Sequence, residues 1–149
     1  MAYAGDFTWD GESEAFFMRH RLSNGQFCII AFYRWMCRRN IGYSVAFAVA
    51  DKKKNLNGWL NGTKDDNITL KMTGRCGVEA LYWCRDRLLE FEREIMLDKV
   101  ADTKIVVGAE DSKRFRLYSK ALARYGYKKV MTPDGWTMQK SLGRRICDD

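Results

Sequence analysis

The 149-residue sequence contains a single proline, Pro133. Proline interrupts helices and central strands and is frequent in linkers and disordered segments, so its scarcity favours continuous secondary structure. We find no domain boundary along the chain. With 46% hydrophobic and 30% charged residues, the chain is long enough to bury a sizeable core. The sequence therefore predicts one domain spanning residues 1–149.

The cysteines lack the patterns of disulfide frameworks and zinc sites. They are odd in number, include no CxxC pair and lie mostly in apolar segments: Cys28, Cys37, Cys76, Cys84 and Cys147. This distribution is typical of reduced intracellular thiols. We therefore expect no bound metal.

Long apolar runs are absent as well. The longest uncharged one, Ile41 to Ala50, is about half of the roughly 20 residues that a bilayer crossing needs. The start of the sequence, MAYAGDFTWDGESEAFF, is acidic and lacks the basic and apolar regions of a secretory signal. We expect a cytoplasmic protein without a membrane segment.

Positive charge, in contrast, is in excess. The net charge is +7, and the segment from Ser112 to the end carries ten Lys or Arg residues against three Asp. Nucleic acid, a phosphorylated cofactor and an acidic partner all favour such a surface. A solvated helix face is the alternative explanation.

The first half of the chain predicts antiparallel strands. QFCIIAFYRWM reads as a buried strand, and large and small residues alternate from Ile41 to Ala50, so the two runs predict a β-hairpin. Asn57-Gly58 and Asn61-Gly62 are tight-turn signals, and NITLKM, residues 67–72, is expected to form a further short strand.

The second half changes to helical spacing. Apolar residues recur three and four apart from Val78 to Ile95, with Arg85 assigned to the polar side, and again from Phe115 to Tyr125. TKIVVGAED between them predicts a strand buried on both faces, and the segment after Gly126 predicts a final hairpin around PDG. The fold class is therefore α/β (α+β), with a mixed, mainly antiparallel sheet flanked by helices that begin near Gly77 and Ser112.

The entry of the first long helix suits an anion. TGRCGVEALY, residues 73–82, brings two glycines to the start of the helix, where the first N–H groups have no intrahelical partners. A phosphate is the ligand that this geometry favours. The alternative is an ordinary glycine-rich turn.

Residues 67–142 resemble the GNAT superfamily of acyl-CoA N-acyltransferases. In that family a strand leads into a pyrophosphate-binding loop and helix, followed by a strand, a second helix and a final pair of strands. TGRCGVEALY occupies the position of the loop, and GAEDSKRFRLYSKALARYGYKKV, residues 108–130, resembles the later signature. The resemblance implies acetyl-CoA as substrate, bound at Gly74, Arg75, Cys76, Gly77 and Val78, and an amine of a small molecule or protein as acceptor.

The resemblance also implies candidates for catalysis. In the family, the usual general acid is a tyrosine four residues before the helix-ending glycine, and this chain has Leu122 at that position. Tyr118 and Tyr125 are the nearest tyrosines and are candidates for protonating the leaving thiolate. Glu110 is a candidate base for the amine. Caps, surface charges and core packing are the alternative roles of these residues.

The layout further resembles GNAT-type proteins of tailed bacteriophages, some of which travel in the virion. Three functions follow as expectations. The first is acyl-CoA-dependent N-acyl transfer in the cytoplasm. The second is a non-catalytic interaction or virion protein, and the third is a DNA-modifying acyltransferase whose basic C-terminal third binds nucleic acid.

Overall fold

A computed structural model describes residues 4–38, 40–60, 77–96, 103–108 and 112–142. The strands are β1 (Thr8–Asp10), β2 (Ala15–Arg21), β3 (Phe27–Cys37), β4 (Asn40–Ala50), β5 (Thr103–Gly108), β6 (Lys128–Thr132) and β7 (Gly135–Leu142). The helices are α1 (Lys53–Leu60), α2 (Gly77–Met96) and α3 (Ser112–Leu122), the last extended by a 3₁₀ turn, Ala123–Tyr125.

One seven-stranded sheet runs through the described residues in the order β1-β2-β3-β4-β5-β7-β6. Its neighbouring strands are antiparallel except for β4 and β5, which are parallel. Because parallel neighbours need a crossover connection, the chain between β4 and β5 has room for α1 and α2. The predicted mixed, mainly antiparallel sheet with helices is confirmed at this level.

Helices α2 and α3 cover one face of the sheet. The spacing of three and four along α2 turns Cys84, Leu88, Phe91 and Ile95 toward the strands, where all four are buried. Tyr118 and Leu122 of α3, together with Tyr127, Met138 and other residues, complete the same hydrophobic cluster. This is the larger of the two main clusters and positions both helices over the middle of the sheet.

Phe91 is the centre of that cluster. Its fully buried ring stacks on Phe32 with the centroids 3.8 Å apart and meets the rings of Phe7 and Tyr43 edge-on. Stacked and edge-on pairs add to the free energy gained by burying apolar surface. They fix the middle of α2 against β3 and β4.

The short helix α1 packs on the opposite face. Leu56 and Leu60 are buried there against small residues of β2, β3 and β4, namely Ala15, Ala31, Ala48 and Ala50. Helix α1 therefore packs on the face of β4 that carries the small residues of the alternating pattern. On β5, only Ile105 and Val107 are buried, while Lys104 and Gly108 are exposed, so the expectation of a strand buried on both faces is wrong.

Other sequence predictions have mixed outcomes. The β3–β4 hairpin, the β6–β7 hairpin and the helix starts at Gly77 and Ser112 are confirmed. Gly126, with φ of 92°, ends the second helical segment as expected. The predicted turn at Asn57-Gly58 is wrong, because both residues lie inside α1. Asn61-Gly62 and the strand at 67–72 lie outside the described residues.

One glycine permits a close approach between strands. Gly42 of β4 is the register partner of Trp35 of β3, and a Cβ at Gly42 would overlap the six-membered ring of the indole. The Trp35 Nε1–H donates to Ser44 Oγ at 3.1 Å. The indole therefore lies across the strand over Gly42, a position that a side chain there would block.

Among the described residues, no helix has the length and hydrophobicity needed to cross a bilayer.

Candidate functional site

A cleft between α2 and α3 lies against the middle of the sheet. We call it the interhelix cleft, and its lining comes from both helices and three strands: Leu81, Cys84, Arg85, Leu88, Tyr118, Ala121, Leu122, Ile30, Val45, Phe47 and Val107. Its cavity measures about 20 Å³, room for about one water molecule. The surface that these residues present to the cavity is apolar, so Arg85 and Tyr118 line it with carbon atoms.

The cleft lies where the two parallel strands stop pairing. β4 and β5 are in register from Ile41 and Thr103 to Val45 and Val107, and β4 then continues to Ala50 while β5 ends at Gly108. Ligands of open sheets bind beyond the carboxyl ends of parallel strands. The cleft has this position in the fold.

The start of α2 lies beside the cleft. Leu81 follows Gly77 by four residues, which is about 6 Å along a helix axis. The N–H groups of the first turn have no intrahelical acceptor, and a helix of 20 residues develops its full dipole at this end. A region that favours an anion and an apolar cleft are therefore one helical turn apart.

Glu79 in this first turn connects α2 to the β2–β3 turn. Its carboxylate accepts hydrogen bonds from the Ser23 backbone N–H at 3.2 Å and from the Ser23 hydroxyl at 2.7 Å. These contacts give it a role in fixing the entry of α2.

Tyr118 forms part of the wall of the cleft. The residue is 7% exposed, and its ring lies 4.8 Å from that of Phe47. Leu122, one turn later, is also buried and lines the same cavity. The ring of Tyr118 is thus part of the cleft wall, and so is Leu122, which stands where the resembled family has its tyrosine.

Arg85 lines the cleft with the apolar part of its side chain. Its guanidinium bonds Asp86 Oδ1 at 3.0 Å and lies 4.8 Å from the centroid of the Tyr82 ring. The hydrogen bond to Asp86 raises the pKa of Arg85, and the charges of Asp86, Tyr125 and Tyr82 add to that increase. Tyr125 belongs to the 3₁₀ turn after α3 and is not among the residues that line the cleft.

Sequence reasoning missed Arg85 because it assigned this residue to the polar side of α2. Its place at the border of the buried stripe, one residue after Cys84, is the signal that distinguishes it from fully solvated arginines. The side chain then has apolar neighbours along its stem and charge at its end.

Two buried cysteines, Cys28 of β3 and Cys84 of α2, lie between α2 and the sheet. Burial raises the pKa of the Cys28 thiol to about 12, with a further contribution from the Glu79 charge. Burial likewise raises the pKa of Cys84, and Cys28 adds to this shift. Both thiols therefore stay protonated near neutral pH, which favours packing over nucleophilic chemistry.

A buried ionic cluster lies farther along α2. Glu92, 7% exposed, accepts hydrogen bonds from the Tyr127 hydroxyl and from Lys140 Nζ, each at 2.7 Å. Lys140 Nζ also donates to the Tyr125 carbonyl at 2.9 Å. Burial, followed by the Glu92 charge and hydrogen bond, raises the pKa of Tyr127. We call this the Glu92 cluster, and it joins α2 to β7 and to the end of α3.

Several predicted site residues remain untested. Gly74, Arg75, Cys76 and Glu110 lie outside the described residues, and Gly77 and Val78 are described only as backbone of the first turn of α2. In the described ranges, no three His, Cys, Asp or Glu side chains are grouped so that they could hold a metal ion.

Comparisons of the chain with protein-family models, with curated proteins and with solved structures found no match. The resemblance to the GNAT superfamily thus remains a prediction from sequence.

Proposed function

We propose that the protein is an acyl-CoA-dependent N-acyltransferase of the GNAT type, which transfers an acetyl group from acetyl-CoA to an amine. One observation carries the proposal. The apolar interhelix cleft begins one turn from the N-terminus of α2, at the place where β4 and β5 stop pairing. An acyl-CoA combines the two chemical features that such a place favours, because a pyrophosphate is joined through an apolar arm to a thioester.

The element order supports the proposal. Strand β4 is followed by the segment before Gly77, which contains glycine, and then by helix α2. Strand β5, helix α3 and the two final strands β6 and β7 come next, as in the family order. The proposed pyrophosphate site comprises the backbone N–H groups from Arg75 to Val78. Helix α1 between β4 and this segment departs from the expected order.

The proposed reaction needs little from the protein beyond positioning and proton transfer. The amine nitrogen attacks the thioester carbonyl carbon, a new C–N bond forms, and the C–S bond breaks. The amine loses a proton to a base, for which Glu110 remains the candidate, and the leaving thiolate takes a proton. Tyr118 is the proposed donor because its ring forms part of the cleft wall, while Tyr125 is the alternative.

Titration calorimetry with acetyl-CoA and with desulfo-CoA tests the proposal. Both ligands are expected to bind, and Ala121→Phe is expected to weaken binding at least tenfold because the added ring occupies the cleft. Ala123→Phe is the matched control, since Ala123 is exposed at the start of the 3₁₀ turn and is not part of the cleft lining. An absence of binding at millimolar ligand would overturn the proposal, as would equal effects of the two variants.

The second candidate function is a non-catalytic interaction or virion protein. Leu122 favours this second candidate, because its aliphatic side chain is part of the cleft wall. The resembled family has its general-acid tyrosine at this position. Acetyl-CoA binding without release of CoA in the presence of a panel of amines would favour this candidate. A cytoplasmic or virion location rests on the same resemblance.

A further inference from the structure

The face formed by α3 and the β6–β7 hairpin carries exposed aromatic and apolar side chains. Trp136 is 50% exposed and Met131 is 57% exposed, and the two residues are direct register partners near the tip of the hairpin. The ring of Phe115 lies 6.5 Å from that of Trp136, with an angle of 30° between the planes. We call these three side chains the aromatic platform.

The platform lies on the α3 side of the sheet. Trp136 and the buried Met138 are two residues apart on β7, so they share a face, and Met138 packs in the cluster that contains Tyr118 of α3. The platform therefore lies on the face that α2 and α3 cover, at its edge, where the ring of Trp136 is exposed to solvent. Trp136 and Met131 thus form a contiguous exposed apolar patch, a feature that often marks an interaction site.

One lysine contacts the platform, and two further cations are exposed on α3. Lys129, the register partner of Met138, has its Nζ 5.9 Å from the centroid of the Phe115 ring. Arg116 and Lys120, four residues apart on α3, are exposed. Within the described part of the chain, none of these three cations forms an ion pair, and residues 112–142 contain a single acidic residue, Asp134.

We propose that this face binds single-stranded nucleic acid, with bases stacked on Trp136 and Phe115 and phosphates contacted by Lys129, Arg116 and Lys120. Unpaired bases stack on exposed aromatic rings without regard to sequence, and flanking cations attract the backbone phosphates. A duplex buries its base faces, so the rings of the platform have nothing to stack on. The three apolar side chains are also few for insertion into a lipid surface.

The proposal is independent of acyl transfer, because oligonucleotide binding is measured without acyl-CoA. Fluorescence anisotropy with a labelled 20-nucleotide oligo(dT), at several salt concentrations, is the primary measurement. Trp136→Ala is expected to weaken binding about five- to hundredfold, whereas Trp136→Phe keeps a ring and retains most of the affinity. Lys129→Gln is expected to lower the slope of log K against log salt by about 0.7.

Two matched controls lie on the other face of the sheet. Trp35 is a second partly exposed tryptophan, and Lys104 is an exposed lysine of β5 whose neighbour Ile105 points into the core. Trp35→Ala and Lys104→Gln are expected to leave oligo(dT) affinity within about twofold. Circular dichroism and melting temperatures of all variants verify that each one is folded.

Four outcomes would overturn the proposal. The first is no oligo(dT) binding at about 100 μM protein in low salt, where even non-specific binding is normally seen. The second is equal loss of affinity in the controls. The third is duplex binding as tight as oligo(dT) binding and insensitive to Trp136→Ala. The fourth is Trp136-dependent binding to phosphatidylserine vesicles without binding to oligo(dT), which would assign the face to a membrane surface.

Discussion

Replacing Lys140 with methionine tests the energetic role of the Glu92 cluster. In the wild-type protein, the Glu92 carboxylate is 7% exposed and accepts two hydrogen bonds of 2.7 Å, one of them from the Lys140 ammonium. Lys140→Met leaves this buried charge with the Tyr127 hydroxyl and removes the hydrogen bond to the Tyr125 carbonyl. Removal of one partner from a fully buried pair costs about 3–5 kcal/mol.

The expected loss for this pair lies near the lower limit of that range. The Lys140 side chain is 25% exposed, so water already solvates part of the ammonium in the folded state. We expect the free energy of unfolding to fall by about 3 kcal/mol, which lowers the melting temperature by roughly 6–12 °C. Urea unfolding at pH 7, followed by circular dichroism, measures the change.

A second substitution separates charge from packing. Glu92→Gln keeps an acceptor for the Tyr127 hydroxyl but removes the charge, so Glu92→Gln/Lys140→Met is expected to be more stable than Lys140→Met by about 2 kcal/mol. Asp86→Asn is the control, because it breaks an exposed pair with Arg85 and should change stability by less than about 1 kcal/mol. If the double variant is no more stable than Lys140→Met, the buried charge is not the source of the loss.

Three further substitutions give measurable outcomes. Tyr118→Phe is expected to lower acetyl transfer about a hundredfold to ten-thousandfold without changing acetyl-CoA affinity, and unchanged turnover in steady-state assays would remove its phenol from the reaction. Because the pKa of the Cys28 thiol is raised from 9.0 to about 12, its contribution to stability is present below pH 9 and is lost as pH rises toward about 12, at about 1.4 kcal/mol per pH unit. In urea unfolding between pH 8 and 10, the free energy of unfolding should therefore fall less steeply with pH in Cys28→Ala than in the wild type. Gly42→Ala is expected to cost about 1–3 kcal/mol by displacing the Trp35 indole, and this cost should largely disappear when Trp35 is also alanine.

Periodicity predicted most of the central elements because the pattern and the tertiary environment agree there. Large and small residues alternate along β4, and the structure places α2 on the large side and α1 on the small side. Spacing of three and four gave both long helices, and Gly126 gave the end of the second. These signals are local, so the sequence contains them in full.

Other elements depend on contacts that no local signal contains. Asn57-Gly58 is a strong turn dipeptide, yet it belongs to a helix whose Leu56 and Leu60 are buried against the alanines of the sheet. Strand β1 lies in an acidic segment and β2 ends in basic residues, and within these two strands only Ala15 and Phe16 are buried. Burial on one side of β5 was overestimated, because an apolar run does not reveal whether a helix covers both faces.

The candidate site divides in the same way. Tyr118 could be selected from the sequence because its helix and its distance from Gly126 are local features. The sequence places Arg85 only at the border of the buried stripe, since its position at the cleft depends on how α2 and α3 lie over β4 and β5. The platform around Trp136 likewise arises from a contact between α3 and the last hairpin.

The parallel pairing of β4 with β5 also bears on the order in which the chain folds. Residues that pair across strands β1 to β4 are at most 23 residues apart in sequence, the separation of Phe27 and Ala50. Ile41 of β4 and its partner Thr103 of β5 are 62 residues apart. Closing that longer loop costs conformational entropy before any contact forms, so non-local pairing is slow. We expect the β1–β4 meander to form the folding nucleus and the β5–β7–β6 unit to dock afterwards. Ile30→Val should then mainly slow refolding, while Val107→Ala should mainly accelerate unfolding.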